Sequence, residues 1–368
     1  MTQFIESIST HQLLPPYQSI NSQVNGFLFD IGADAIAAYC DRFLNLGDPL
    51  ERGFIYKPLY AAPFGLLTLT QYPSMCSLDR LVPKSFGVSA GEWDHLQQNE
   101  FFCAVPVYRY RLTPANIMFD PVIRWIQPFI VVDNATSAFS GREILGLDML
   151  YGHIDVGDGA KPGGMSVNVS VPAWETFRPD CPQKMAPFIE VQMGPPLEND
   201  GSPDSQAAME SLSLNTGGVI AQLQAAIPAL GSIAHGVFPE AMDLVILKQF
   251  RAAGDPYTAI YQALVGARCR YSEVSELKLY DASTVSVQFM GGDMVDEIIR
   301  TFLNLAPSWP GTMDLQPLLT PKMAFSAPPP PPPPTLANIR MAFSFKATID
   351  FDGIRTLHTF RDGAPVNV

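Results

Sequence analysis

Basic residues are scarce in this chain. Its 368 residues include 23 Lys and Arg against 36 Asp and Glu, a net charge of −13. No block of Lys or Arg is available to neutralise phosphates, so neither nucleic acid nor an anionic membrane surface is an expected partner. Charges of both signs make up only 16% of the chain, which suits a large buried interior or contacts between subunits. Cysteine is also sparse. Cys40, Cys76, Cys103, Cys181 and Cys269 are odd in number and widely spaced, with no Cys-x-x-Cys pair. That disfavours a disulfide framework and points to reduced core thiols in a cytoplasmic protein. The five histidines form no metal-binding doublet, and no Gly-x-Gly-x-x-Gly or phosphate-binding loop occurs. Nucleotide cofactors have no support, and no cofactor or metal is expected. Met1 to Gln18 has neither a basic start nor an apolar core, so no signal peptide is expected. Gly217 to Phe238 is uncharged, but Gln222, Gln224, Pro228 and His235 interrupt it. It reads as helical segments packed on the body, and no membrane span is expected.

What the chain has is strands. Residues 1–25 read as an irregular arm, followed by a short strand at Gly26–Asp30 and a helix over Asp34–Leu46. Strands are predicted at Phe54–Tyr60, Phe64–Tyr72, Glu100–Tyr110, Phe129–Val132, Tyr151–Val156, Gly164–Val171, Phe188–Met193, Met242–Arg251, Tyr271–Leu279 and Thr284–Phe289. Asp255-Pro256 reads as the start of a short helix over Tyr257–Val265, and Asp293–Leu305 as a helix with one apolar face. Asp352-Gly353, between two apolar runs, signals a hairpin. The expected organisation is an arm at 1–25 and one domain over 26–368. That domain carries a helical insertion at 205–240 and a seven-proline loop, Pro328 to Pro334. Many short strands with few long helices predict a mainly β fold, closed or nearly closed into a barrel.

The most informative stretch is Phe129-Ile130-Val131-Val132-Asp133-Asn134, followed by small residues, Gly141-Arg142-Glu143 and a second apolar step to Leu150. Arg142 and Glu143 are charges in an apolar setting. They are either a structural ion pair or part of a polar pocket. This order of strand, Asp-Asn, small residues and Gly-Arg-Glu resembles the acetoacetate decarboxylase family. A second block, Leu247-Lys248-Gln249-Phe250-Arg251 with Asp255-Pro256, resembles a longer branch of proteins similar to those decarboxylases. The resemblance implies a β-barrel with an interior pocket and a homo-oligomeric assembly. It also implies a lysine that forms a Schiff base with a β-keto acid, activated by its lowered pKa. Counted from Gly141, that lysine falls at Met149, its lysine neighbour at Leu150 and the preceding proline at Asp148. Met cannot form an imine. A family glutamate matches Glu100. A second finds no match, since no Asp or Glu lies between Lys57 and Leu78, and the family's N-terminal site arginine is absent, with Ser22 near its place.

Two functions follow as expectations. One is an enzyme acting on an oxo or hydroxy acid, or a polyketide-like metabolite, by acid–base steps such as dehydration, isomerisation or cyclisation. Glu100 would move the proton and Arg142 would hold an anionic group. Glu143, Asp148, Met149, His153 and Lys248 would bind the substrate. Met149 would form an apolar floor, and Lys248 is the candidate to replace the missing amine, although a strand-end lysine more often points to solvent. His153 and Asp155 share a strand face. They would need a third ligand to hold a metal, and His153 fits a proton shuttle better. The other function is a non-catalytic binding or assembly protein on the same frame. Either reading requires an interior cavity beside Glu100 and Met149.

Overall fold

The computed structural model describes residues 13–60, 63–78, 95–173, 183–197, 241–255, 257–290 and 335–362. The chain enters through β1 (Tyr17–Asp30), then α1 (Ala33–Tyr39), a π-type turn (Cys40–Leu44) and α2 (Pro49–Arg52). Next come β2 (Phe54–Pro58), β3 (Phe64–Ser77), β4 (Leu96–Leu112) and β5 (Met118–Val132). Helix α3 (Ala135–Ser140) and a second π-type turn (Gly141–Leu145) lead to β6 (Met149–Tyr151). The remainder is β7 (His153–Asp158), β8 (Met165–Ala173), β9 (Lys184–Met193), β10 (Ala241–Arg251), β11 (Ala259–Tyr280), β12 (Val285–Phe289), β13 (Thr335–Leu336) and β14 (Ile339–Asp362).

The strands form two sheets. The larger has the order β2-β4-β3-β1-β14-β11-β10-β5-β6, and a further β4–β5 pairing closes its central strands into a ring. The ring is tight along β4–β5 but joined at β10–β5 by a single parallel pair, Leu244 with Trp125. The smaller sheet, β13-β12-β9-β8-β7, packs against the outside of that ring.

Period-two alternation explains why the ring strands are apolar on both faces. On β4, Phe101 and Cys103 pack toward the smaller sheet, while Phe102 and Ala104 face the ring interior. On β5, Phe129 and Val131 take the first side and Ile130 and Val132 the second. The unbroken run Phe129–Val132 is therefore one strand between two cores.

Three segments differ from the sequence expectation. The arm at 1–25 is replaced, from Tyr17 onward, by β1. Ser19 and Ser22 are buried inside that strand, and Asn21, at φ 56°, interrupts the register between them, so polar residues conceal an inward-facing strand. The helix expected over Tyr257–Val265 is a hairpin turn followed by β11. Asp255 starts it, but as a turn: its carboxylate accepts from the Tyr257 amide and the Thr258 hydroxyl, and the chain returns to pair with β10. The hairpin expected at Asp352-Gly353 is a bulge inside one continuous strand, β14. Arg268 pairs with Asp352 and Gly266 with Arg355, leaving an extra residue on β14 that Gly353 absorbs at φ 63°. A left-handed glycine serves a bulge as readily as a turn. The 205–240 insertion, the helix at Asp293–Leu305 and the prolines at 328–334 lie outside the described residues. Among the described residues no helix is long and apolar enough to cross a membrane.

Candidate active site

The ring encloses a cavity whose walls are inward-facing positions of many strands: Glu100 of β4, Tyr72 of β3, Cys269 and Tyr271 of β11, Ile349 of β14 and Met149 of β6. Its volume is ≈ 70 Å³. Since one water needs on the order of 10–15 Å³ of such space, the cavity has room for several waters or one small organic molecule.

Among the described residues, Glu100 is the one carboxyl that lines the cavity. It pairs with Thr70 across β3–β4 and with Val132 across β4–β5, and is 8% exposed. Burial disfavours its charged form and pushes its carboxyl pKa to about 7, opposed by a hydrogen bond with the Tyr72 side chain. The same burial, together with the nearby Glu100 charge, holds the Tyr72 phenol well above its ordinary range. Tyr271 is held up in the same way, and the Cys269 thiol is pushed to about 12, which leaves it no nucleophile at neutral pH. Two residues from Glu100 along the same face, Gln98 also lines the cavity. Among the described residues no Lys, Arg or His lines it.

The residue next in importance is Met149. It is buried, lines the cavity, and packs its sulfur where a Cβ on Gly141 would stand, 2.3 Å away. The segment that delivers it starts with an Asp133 clamp. The Asp133 carboxylate accepts from the backbone and side-chain nitrogens of Asn99, both at 2.7 Å. Asn134 then caps α3 by accepting from the Ser137 amide. Gly146, at φ 80°, ends the π-type turn, and its bare Cα lies so close to Lys248 that a Cβ would stand 2.6 Å from the Lys248 Cα.

The other sequence candidates lie outside the cavity. Arg142 is exposed rather than buried in an ion pair, and donates to the Met149 carbonyl at 3.0 Å. With Glu143 and Asp148 it lines a separate open groove on the far side of Met149. Its guanidinium thus holds the backbone of β6, and an anion inside the cavity is beyond its place. Lys248 lines neither the cavity nor the groove. Its ammonium donates to the Ile144 carbonyl at 2.9 Å, and burial lowers its pKa against the opposing pull of Glu143. His153 and Asp155 are exposed on β7 of the smaller sheet, 3.5 Å apart, and among the described residues no third ligand joins them. Sequence reasoning misses Tyr72, Gln98, Cys269 and Tyr271, because each is an ordinary strand residue whose inward facing depends on pairings remote in sequence. Sequence reasoning also misses a Gly-x-Ser-x-Gly spacing, Gly87-Val88-Ser89-Ala90-Gly91, which lies outside the described residues.

Solved structures place the fold. The chain superposes on the acetoacetate decarboxylase of Legionella pneumophila with a TM-score of 0.50 at 11% identity, covering 98% of this chain and 93% of that one. A second acetoacetate decarboxylase structure gives 0.51 at 11% identity, covering 97% of each chain. No family model and no curated protein sequence matches. The fold is therefore that of the acetoacetate decarboxylases, mainly β, with a pocket inside the ring.

Proposed function

We propose that this protein is a proton-transfer enzyme acting on a small, uncharged carbonyl compound in the ring cavity, with Glu100 as the acid–base group. The observation that carries the reading is one buried carboxyl with a pKa of about 7 facing a cavity that no described cation lines. At neutral pH such a group is present in both forms, the condition for taking a proton in one half-reaction and returning it in the other. As carboxylate, Glu100 removes the proton from the carbon next to the carbonyl. The C–H pair becomes the enolate double bond, and the Tyr72 hydroxyl, released from Glu100 as the carboxylate takes the proton, hydrogen-bonds the oxygen that gains charge. As carboxylic acid, Glu100 returns that proton to another carbon, which is isomerisation, or to a departing β-hydroxyl, which releases water. A carboxylate substrate fits poorly, because its charge would meet the Glu100 charge with no described counter-ion. This favours a neutral, polyketide-like compound over an oxo acid. Met149 leaves the cavity without an imine-forming amine.

Solvent-deuterium exchange into a panel of neutral ketones, followed by NMR, tests this. Exchange by the wild type and its loss by at least a hundredfold in Glu100→Gln is expected. Binding of the same ketones without exchange would move the protein to the second reading, a small-molecule carrier. What favours that reading is the lack of any described cation beside Glu100 to stabilise an enolate.

A further inference from the structure

Gln98 is 3% exposed, lines the cavity, and its amide oxygen is buried with no hydrogen-bond partner. A buried acceptor left empty is destabilising, so an amide held this way needs a donor from within the cavity. It stands two residues from Glu100 on the same strand face, about 7 Å along β4. A second lining amide, Gln127, also has a buried oxygen without a partner. Gln127 precedes Pro128 on β5 and lies across from the stretch between Cys103 and Val105, about 20 Å of strand away from Gln98. It therefore serves a different part of the cavity, and Gln98 alone shares the neighbourhood of the carboxyl.

We infer that Gln98 is a ligand-recognising residue: it accepts a hydrogen bond from a hydroxyl of an uncharged hydroxy-carbonyl compound whose carbonyl side faces Glu100. This rests on the proton-transfer reading for the choice of a carbonyl, but the hydroxyl requirement stands on Gln98 itself. The polarity of the lining is matched to the task. Glu100 as an acid supplies the donor for a carbonyl, the Tyr72 and Tyr271 phenols being engaged with Glu100 and Cys269, while the Gln98 oxygen supplies the acceptor that a hydroxyl requires. An ether or a methyl ketone lacking the hydroxyl would leave that oxygen empty, and selectivity built on an unfilled polar group is stronger than selectivity built on an extra methylene.

The test uses three matched probes on the full-length protein at pH 7: meta-hydroxyacetophenone, its methyl ether meta-methoxyacetophenone, and the anionic meta-hydroxybenzoate. Dissociation constants come from ligand-observed NMR titration. The hydroxy ketone is expected to bind the wild type about tenfold more tightly than the methyl ether, the worth of one hydrogen bond, and more tightly than the benzoate. In Gln98→Met the preference for the hydroxyl should shrink to within about twofold, while Glu100→Gln retains it. Equal binding of the ketone and its ether by the wild type overturns the inference without recourse to any variant. So does a preference that survives Gln98→Met, tighter binding of the benzoate, or no binding by any probe. The two readings separate cleanly. Hydroxyl preference without deuterium exchange removes the catalytic reading and keeps this one, and exchange without hydroxyl preference removes this one alone.

Discussion

Glu100 is expensive to keep where it is. Its carboxyl pKa rises from 4.5 to about 7 on folding, so the folded state holds the proton more tightly than the unfolded chain does. Below the unfolded value both states are protonated and nothing is lost. As pH climbs toward the folded value, stability falls, and above it the burial of a bare carboxylate costs about 3 kcal/mol. Glu100→Gln should therefore be more stable than the wild type at pH 8 and show a flatter profile across that window. Denaturant titrations at several pH values check this, and parallel profiles would mean the carboxyl is hydrated in the fold. Met149 is the second residue on which the account depends. The wild type should give no borohydride-trapped adduct with a neutral β-diketone by intact mass, because the cavity holds no described lysine. Met149→Lys, which sets an amine at the cavity wall, should give one. At this scale the site is partly legible in the sequence: Glu100 and Met149 follow from the resemblance, whereas Arg142 stands beside them as a candidate, and Lys248 as a weaker one, until the fold turns their heads to backbone carbonyls.

The segment from β5 to β6 positions the cavity wall, and two of its contacts can be removed singly. The Asp133 carboxylate ties the end of β5 to Asn99, next to Glu100, through two hydrogen bonds. Asp133→Ala should cost about 2 kcal/mol, as charge-assisted hydrogen bonds of this kind do, and chemical denaturation measures it. Lys248 sits differently, capping the turn through the Ile144 carbonyl from outside the cavity. Lys248→Met should lose about 1 kcal/mol of stability and leave ketone exchange unchanged. Loss of exchange would place the amine in the chemistry. Elements of this kind are legible in proportion to how local their cause is. Strand β4 is plain from its apolar run, since both its faces are buried. The start of β11 is not, because Ala259 to Val265 carries apolar residues at spacings that suit a helix, and only pairing with β10 decides the matter. Asp352-Gly353 encodes a left-handed residue but not whether the chain reverses there. Pairing with β11 on both sides of Gly353 makes it a bulge.

For the whole molecule, alternation along the ring strands divides the apolar residues between an outer core against the smaller sheet and an inner core around the cavity. Mainly β architecture and its closure are legible in strand count, turn signals and the resemblance; which strands close the ring is not, because closure rests on pairs such as Leu244 with Trp125 that no local pattern announces. Assembly is a further expectation at this scale. Phe139, Tyr151, Phe250 and Tyr257 are exposed along the open groove beyond Met149. Light scattering should return a mass of more than one 40.3-kDa chain, and a single-chain mass would rule out the homo-oligomer. The ring withdraws one carboxyl from solvent, and that can be read without any substrate. Carbon-13 labelling of glutamate side chains, with Glu100→Gln to assign the signal, follows the ionisation of Glu100 through a pH titration. A midpoint near 7 is expected for this one carboxyl. A midpoint in the ordinary carboxylate range would mean that the cavity does not shelter it, and the acid–base role assigned to Glu100 would fall.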